Sequence, residues 1–288
     1  MRNVIQYKEG ENSWARWIKK RIKNNLNFIG VATGPTGIGK SWFEISMAHS
    51  IDPGFEPKQI AFNFEQIMQI VRSDWFKKKE WKIVIFDEAQ VAISNRRWQS
   101  EVNQLMNWLL STFRHENIIF LMTSPYIDFL DNQTRKLVHT EFNVMGHSEK
   151  KKLTHLRPLI LDYNGKLRKF YYHCLYVIKK GKYQKLKDWY VSTPPKHLII
   201  PYEKDKTKFT MKLNAHIAER LTDIGKKGTK KKSNKPLTET QEKILEYWNK
   251  GILVQKEIAE KMDTNPPNIC ENEQRMRNKG YIKPQVRK

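Results

Sequence analysis

The sequence predicts an α/β fold with a mostly parallel sheet, and two observations lead to that class. From Phe28 to about Gly146, short apolar runs alternate with stretches of helical periodicity, as in strands joined by crossover helices. A glycine-rich loop directly follows the first of these runs and precedes a helical stretch. At 288 residues, the chain can hold one large or two modest domains.

The first apolar run leads into the loop within "FIGVATGPTGIGKSW". From Gly34 to Ser41 the spacing is G-x-x-x-x-G-K-[ST], in which backbone N–H groups surround phosphates, the lysine reaches the β- and γ-phosphates and the hydroxyl ligates Mg²⁺. We expect a strand at Phe28–Thr33 and a helix at Ser41–Ser50, the context that this loop requires. A glycine turn without a ligand is the alternative. The residues expected to bind ATP are Gly34, Pro35, Thr36, Gly37, Ile38, Gly39, Lys40, Ser41 and Trp42.

Two acidic residues follow a later apolar run. In "WKIVIFDEAQ", a strand predicted at Lys82–Phe86 leads into Asp87 and Glu88. A carboxylate at the end of a neighbouring strand can hold Mg²⁺, and a second can orient and deprotonate the attacking water. We therefore predict Asp87 as a metal ligand and Glu88 as the catalytic base. A surface carboxylate without a chemical role is the alternative for Glu88.

The stretch "TFRHENIIFLMTSPYIDFLDNQTRKL" supplies two further catalytic candidates. Ser124 follows Thr123 at the polar tip of a predicted strand, where a side chain could sense the γ-phosphate. Arg114 ends a predicted helix and could act in trans as an arginine finger, which implies an oligomer. A salt bridge or a contact with the helix dipole is the alternative role for Arg114. The rival arginines are Arg96, Arg97 and Arg135.

The same alternation predicts the remaining elements of this region. The further strands are expected at Gln59–Phe62, Asn117–Met122 and about Glu141–Met145, and the further helices at Phe64–Val71, Glu101–Arg114 and Asp128–Leu137. The apolar runs are far shorter than the roughly 18 residues of a membrane-spanning helix, and the N-terminus does not resemble a signal peptide. We therefore expect a cytoplasmic protein without a membrane partner.

After Ser148 the pattern changes to that of antiparallel hairpins, with turn signals at Asn164-Gly165 and Lys180-Gly181. A short helix near Thr207–Ile224 is expected to follow the proline-containing "STPPKHLIIPYEKDK". The aromatic residues of "KFYYH" and "DWY" are interpreted as core, with a surface that stacks on single-stranded nucleic acid as the alternative.

A lysine-rich segment and three short helices end the chain. "GKKGTKKKSNKP" is a linker by composition, and Lys230, Lys231 and Lys232 could be a solvated tether or could hold DNA without sequence preference. Thr238 and Gln241 form a capping-box pattern that opens a helix to about Trp248. A second helix is expected at about Gln255–Met262, and a third from Pro266, with Asn265 as N-cap, to near Lys279.

These three helices resemble a winged helix-turn-helix module. Glu273 departs from the pattern because it takes a position expected to be apolar. In this module the third helix could enter a DNA groove, although such modules also bind proteins. The residues expected at core spacings are Ile244, Ile258, Ala259, Ile269, Met276 and Ile282, and the candidates for DNA contact are Asn268, Asn272, Arg275 and Arg277.

The net charge of +23 favours a polyanionic partner. Its distribution is uneven, with +11 across residues 151–224 and +6 across residues 225–236. We therefore expect contact with nucleic acid after the nearly balanced first half of the chain. Cys174 and Cys270 are far apart in sequence, which supports neither a disulfide framework nor a zinc site.

Together, "GPTGIGKS", "IVIFDEAQ" and "FRHENIIFLMTSPYIDFLDNQTRKL" resemble the FtsK/HerA branch of RecA-like motor ATPases, particularly the zonula occludens toxin-like ATPases and small archaeal viral or plasmid packaging ATPases. The resemblance covers about residues 28–147. It implies a RecA-like P-loop NTPase fold, ATP with Mg²⁺, and a homo-oligomeric ring, expected as a hexamer, that moves DNA through its centre.

Carried over by position, the resemblance implies that Lys40 and Ser41 bind phosphate and Mg²⁺, that Asp87 supports the metal, that Glu88 is the base and that Arg114 is the finger. The family often ends its fourth strand with glutamine, whereas Ser124 stands here. Toxin-like members usually carry a membrane span. This sequence has no such run, which favours a packaging or transfer motor.

We expect a double-stranded DNA translocase for viral genome packaging or mobile-element transfer, with a capsid portal or transfer complex as a further partner. One alternative is an ATP-dependent switch or loader, and another is a DNA-binding regulator whose nucleotide site is only structural. The expected parts are a basic segment (1–27), an ATPase core (28–147), a basic hairpin extension with a helix (148–224), a linker (225–236) and a winged helix-turn-helix (237–288).

Overall fold

The computed structural model describes residues 3–87, 115–228, 236–279 and 281–282. The chain divides into two compact units, Met1–Met211 and Lys212–Lys288. The first unit is mixed α/β with a mostly parallel central sheet, and the second is helical. The predicted helix Glu101–Arg114 lies outside the described residues.

Eleven strands are described in the first unit. They are β1 (Val4–Gln6), β2 (Phe28–Thr33), β3 (Ile60–Ala61), β4 (Ile83–Phe86), β5 (Ile119–Ser124), β6 (Thr140–Ser148), β7 (Leu153–Asn164), β8 (Lys169–His173), β9 (Leu175–Lys179), β10 (Lys182–Leu186) and β11 (Trp189–Ser192). The larger sheet has the order β11-β7-β6-β2-β5-β4-β3, and β8 also pairs with β7. Its five strands from β6 to β3 are parallel. Strand β5 therefore separates β2, which precedes the glycine-rich loop, from β4, which precedes Asp87.

The central strands are buried on both faces, as expected of parallel strands between helices. In β2, Phe28 and Ala32 pack into one hydrophobic cluster, while Ile29 and Val31 pack into the cluster on the opposite face. Because both faces are apolar, burial alone does not reveal which face a given strand residue takes.

Helices cover both faces of this sheet. They are α1 (Ser13–Lys23), α2 (Lys40–Ile51), α3 (Phe64–Arg72), α4 (Asp74–Lys77), α5 (Asn132–Leu137) and the part of α6 (Lys196–Gly228) that ends at Met211. Helix α1 was not predicted from the sequence. It buries Trp14, Trp17 and Ile18 in the core, and the two indoles meet edge to face at 5.6 Å between ring centroids. The basic segment 1–27 therefore contributes to the core of the first unit.

Two helix predictions were wrong in their bounds. Helix α5 begins at Asn132 rather than Asp128, because Asp131 accepts hydrogen bonds from the backbone N–H groups of Gln133 and Thr134 and caps the helix there. Helix α6 begins at Lys196 rather than near Thr207 and contains Pro201. Proline removes one backbone donor and disfavours a helix interior, which explains the missed start.

The predicted hairpins are confirmed. Strands β7 and β8 are antiparallel, with Asn164 and Lys169 as the last paired residues. Strands β9 and β10 are joined by Lys180 and Gly181, both with positive φ, as a two-residue type I′ turn requires. Strand β1 adds to β9 in parallel and completes a second, three-stranded sheet.

The second unit contains α7 (Glu239–Asn249), α8 (Gln255–Lys261) and α9 (Pro266–Lys279). The capping box at Thr238 and Gln241 is confirmed, and the side chain of Asn265 accepts from the backbone N–H of Asn268 at the start of α9. The predicted core residues are all buried here: Ile244, Ile258, Ala259, Ile269, Met276 and Ile282. The described helices support a three-helix module, and the winged form remains a prediction.

Glu273 is 2% exposed in this apolar core. Its carboxylate accepts from Trp248 Nε1 at 3.0 Å and Gln255 Nε2 at 2.8 Å, and Arg277 lies 3.6 Å away. A buried charge is tolerated when donors surround it. Glu273 therefore ties α9 to α7 and to the start of α8, which explains an acidic residue at a core position.

Among the described residues, no helix is both long enough and apolar enough to cross a membrane.

Folding excludes a proton from His139. Its Nδ1 accepts from the backbone N–H of Ile29 at 2.9 Å, and burial, with the nearby Arg21 cation, lowers its pKa to about 3. The unfolded chain binds a proton near pH 6.5, so this contribution to stability is complete above that pH and is lost as the pH falls towards 3. From pH 7 to pH 5 we expect about 2 kcal/mol less unfolding free energy from this residue.

Urea unfolding of the wild type and His139→Asn at both pH values measures this effect. Asparagine keeps an acceptor but does not titrate, so its pH-dependent loss should be smaller by that amount. Equal losses in the two proteins would contradict the assignment.

Candidate functional site

The glycine-rich loop joins β2 to α2 at the carboxyl edge of the central sheet. Gly34, Gly37 and Gly39 have φ values of 140°, 80° and 95°, a region that side-chain-bearing residues rarely adopt. Gly39 is the N-cap of α2 and brings no side chain to the first helical turn. The loop therefore presents a helix N-terminus to the cavity above it, an arrangement that favours anions.

Gly34 is enclosed by its surroundings. A Cβ atom added there would lie 2.8 Å from the backbone oxygen of Val144 and 3.2 Å from Ile38 Cγ2. Val144 precedes an irregularity in the pairing of β6 with β7, between Val144 and Gly146. The loop thus packs against β6 where that strand bulges.

Lys40 and Ser41 begin α2 and face different partners. Lys40 Nζ donates to the backbone oxygens of Gly34 and Pro35, at 2.7 and 2.8 Å. Ser41 Oγ donates to Asp87 Oδ1 at 2.8 Å. The structure therefore brings together the lysine, the hydroxyl and the carboxylate that the sequence pattern singled out.

Asp87 is fully buried after β4, and among the described residues four side-chain donors surround its carboxylate. Oδ1 accepts from Ser41 and from Thr123 Oγ1, each at 2.8 Å. Oδ2 accepts from Tyr202 OH at 2.6 Å and from Lys206 Nζ at 3.0 Å. These donors come from α2, β5 and α6, so three elements converge on one carboxylate.

Electrostatics keep this carboxylate ionised. Burial by itself would raise the pKa of Asp87, but the Lys206 ammonium and the hydrogen bonds from Tyr202 and Ser41 outweigh burial and hold that pKa below its ordinary value. Burial by itself would lower the pKa of Lys206, whereas the charge of Asp87 raises it above its ordinary value. Burial and then the charge of Asp87 raise the pKa of Tyr202, so its hydroxyl remains a donor.

Ser124 does not face this carboxylate. Its hydroxyl donates to the backbone oxygen of Tyr126 at 2.8 Å, while the preceding Thr123 contacts Asp87. Phe86 pairs with Met122, so the next residue along β5 is the one beside Asp87. Thr123 is thus the residue at the end of β5 that lies beside Asp87, and the phosphate-sensing role expected of Ser124 remains a prediction.

Sequence reasoning also missed Tyr202 and Lys206. Leu198, Tyr202 and Phe209 recur at helical spacing and pack against the core, and this periodicity could have extended the helix upstream of Thr207. Glu88, Arg114, Arg96, Arg97 and the linker residues Lys230, Lys231 and Lys232 lie outside the described residues. Arg135 is paired with Asp128.

A cavity of about 290 Å³ lies above the loop. Its wall joins Lys40, Ser41 and Asp87 to Trp42, Tyr202, Glu203, Lys206 and His147. Trp42 meets His147 edge to face at 5.5 Å between ring centroids and donates from Nε1 to Glu203 Oε1 at 2.8 Å. The cavity is therefore lined by the glycine-rich loop together with the aromatic side chains of Trp42, His147 and Tyr202.

The candidate DNA contacts in α9 differ in exposure. Asn268 and Arg275 are exposed, and Arg275 pairs with Glu271 at 2.6 Å. Asn272 is 9% exposed, accepts from Gln241 and donates to Asn268, so it joins helices instead of facing solvent. Arg277 lies beside the buried Glu273. The expectation that all four reach a groove is therefore corrected for Asn272.

The hairpin aromatics divide into two groups. Phe170 and Trp189 pack against the core, as interpreted from the sequence, whereas the tyrosines of the same stretches are exposed. Tyr171, Tyr172 and Tyr190 are 41%, 51% and 59% exposed. On the β9–β10 hairpin, Tyr176 pairs with Lys185 and Tyr183 with Ile178, so these side chains share one face, opposite the buried Leu175 and Val177. We call Tyr176, Tyr183 and Lys185 the tyrosine face.

Comparison with known proteins leaves the family unassigned. The chain matches no protein-family model and no curated protein. Among solved structures, it is similar to the N-terminal domain of zonular occludens toxin from Neisseria meningitidis, with a TM-score of 0.32 and 21% identity over 52% of this chain and 95% of that chain. A similarity this low supports no functional assignment. Any such assignment depends instead on the site around Asp87.

Gly34→Ala should lower the free energy of unfolding by about 1–3 kcal/mol, because alanine would strain the backbone at φ 140° and collide with Val144. Gly146→Ala is the matched control, since a Cβ there meets nothing within 4 Å. Urea unfolding compares the two variants. Equal stabilities would mean that the loop is not constrained as described.

Proposed function

We propose that the chain is an ATP-hydrolysing DNA translocase. The observation that carries the nucleotide site is the 2.8 Å hydrogen bond between Ser41 Oγ and Asp87 Oδ1, beside a loop with the spacing of a P-loop. A hydroxyl and a carboxylate are oxygen donors of the kind that Mg²⁺ prefers. The two therefore fit a metal-bound triphosphate, although they are distant in sequence.

In this proposal the residues have distinct roles. Lys40 would turn from the loop carbonyls to the β- and γ-phosphates, while Ser41 and Asp87 would hold Mg²⁺. Thr123 keeps Asp87 oriented through its hydrogen bond. Glu88 would orient and deprotonate the attacking water. Bound Mg·ATP would supply the phosphoryl group and the cation that offsets its developing charge.

The strand order supports a RecA-like arrangement of this site. One parallel strand, β5, separates the loop-bearing β2 from β4, and its polar end contacts Asp87 through Thr123. In the ring that we propose, of which a hexamer is one form, Arg114 of one subunit would reach the phosphates of its neighbour.

The DNA partner is supported by charge and by the tyrosine face. Residues 151–224 carry a net charge of +11, which exceeds what solubility requires. Tyr183 is 67% exposed, and exposed aromatic residues between lysines suit contact with bases and phosphates. Asn268 and Arg275 of the terminal helices, together with the linker lysines, are further candidates for DNA contact.

The setting that we propose is viral genome packaging or mobile-element transfer, with a capsid portal or transfer complex as partner. An ATP-dependent switch or loader is the second candidate function. The hydrogen bonds that Tyr202 and Lys206 donate to Asp87 favour this second function, because they suit a site that binds nucleotide without rapid turnover.

Lys40→Ala should weaken binding of a fluorescent, non-hydrolysable ATP analogue with Mg²⁺ by at least about tenfold, because charge-assisted contacts with phosphate are lost. It should also abolish ATP hydrolysis, which we expect linear duplex DNA to stimulate in the wild type. Glu88→Gln should retain binding and lose turnover.

Lys77→Ala is the control for these measurements, since Lys77 is exposed on α4 away from the cavity lining. Nucleotide binding without turnover in the wild type, with or without DNA, would favour the switch. No nucleotide binding by folded protein would reject both functions.

Replacing both Tyr183 and Lys185 by alanine should weaken DNA binding by about tenfold or more and reduce its salt dependence by about one phosphate contact. Nucleotide binding should be unchanged. Fluorescence anisotropy with duplex and single-stranded DNA at several salt concentrations measures both effects, and Lys77→Ala again serves as control. Unaltered affinity and salt slope would remove the tyrosine face from the DNA interface.

A further inference from the structure

Helix α6 contacts one oxygen of the candidate metal ligand, and Ser41 contacts the other. Tyr202 OH and Lys206 Nζ donate to Asp87 Oδ2 at 2.6 and 3.0 Å, and Lys206 also donates to Tyr202 OH at 3.0 Å. The Lys206 side chain is 26% exposed and lines the same cavity as Lys40 and Ser41. A second lysine therefore stands at the place where phosphate is proposed to bind.

Several contacts hold this part of α6 over the site. Glu203 accepts from the indole of Trp42, which directly follows Ser41. The ring of Tyr202 stacks on Phe62 at 6.2 Å, and Phe62 stacks on Phe209 at 5.3 Å between centroids. The first turns of α6 are thus attached both to α2 and to the chain after β3. Lys206 is held at the cavity by its helix, while its long, flexible side chain remains able to change partners.

The carboxylate of Asp87 cannot bind a metal ion and keep its full interaction with Lys206 at the same time. Each oxygen of Asp87 already accepts two hydrogen bonds, which uses the roughly four acceptor positions of a carboxylate. A cation held by Ser41 and Asp87 would also repel the nearby ammonium. The phosphates of a nucleotide would bring negative charge into the same cavity. Electrostatics therefore favour transfer of the ammonium from the carboxylate to the terminal phosphate.

We propose that Lys206 is a second phosphate-binding lysine, supplied by the same chain, which exchanges Asp87 for the γ-phosphate of a bound nucleoside triphosphate. This inference rests on the proposed nucleotide site and adds discrimination between triphosphate and diphosphate. The exchange also makes α6 responsive to the nucleotide. When the ammonium leaves Asp87, Tyr202 and Lys206 no longer share one acceptor.

Lys206→Met tests this role in the full-length protein, because methionine keeps much of the side-chain length and removes the charge. Loss of one charge-assisted contact should weaken binding of the non-hydrolysable ATP analogue by about 10- to 100-fold in the presence of Mg²⁺. Binding of ADP should change by less than about threefold. Lys208→Met is the matched control on the same helix, since Lys208 is exposed and pairs with Asp205.

The outcomes separate this inference from the proposed function. A wild type that binds neither nucleotide rejects the site itself. A wild type that binds both, with equal losses or no loss in Lys206→Met, overturns the role of Lys206 and leaves the site intact. Selective loss of the ATP analogue, restored in part by Lys206→Arg, supports the proposal.

A second measurement does not depend on the variant being folded. Hydrogen–deuterium exchange across residues 196–211 of the wild type should differ between saturating ADP and the saturating ATP analogue, each with Mg²⁺. Identical exchange in the two complexes would overturn the proposed change of partner.

Discussion

A fully buried negative charge is stable only when donors replace the water it has lost, and the carboxylate of Asp87 imposes that requirement on the first unit. Ser41 fixes the start of α2 against β4, Thr123 fixes the end of β5, and Tyr202 and Lys206 fix α6. The geometry of the cavity follows from this convergence, because each contributing element has its place set by the same charge.

The second unit also contains a buried carboxylate, with a different result. Glu273 joins three helices through Trp248, Gln255 and Arg277, and its side chain is surrounded by their packing. Asp87 instead borders a cavity. A buried carboxylate thus stabilises a helix junction in one unit and lines a cavity in the other.

The local parts of the site could be predicted from sequence, and its long-range parts could not. The loop from Gly34 to Ser41 and the strand before Asp87 follow from spacing and apolar runs, and their meeting follows from parallel strands ending at one edge. The choice of Thr123 over Ser124 depends on register, which a strand buried on both faces does not reveal. Tyr202 lies 115 residues from Asp87 and directly follows a proline that argues against a helix.

Strand β6 has the loop-bearing strand on one edge and the hairpin-bearing strand on the other. The Val144 carbonyl lies against Gly34, next to the bulge in the pairing of β6 with β7. Within a few residues, β6 therefore supports the glycine-rich loop on one edge and pairs with the hairpin strand on the other. Lengthening a hairpin tip should leave this relationship unaltered, whereas inserting one residue into β6 would shift its register and move the carbonyl. In related chains, we therefore expect insertions and deletions at the hairpin tips and a constant number of residues along β6.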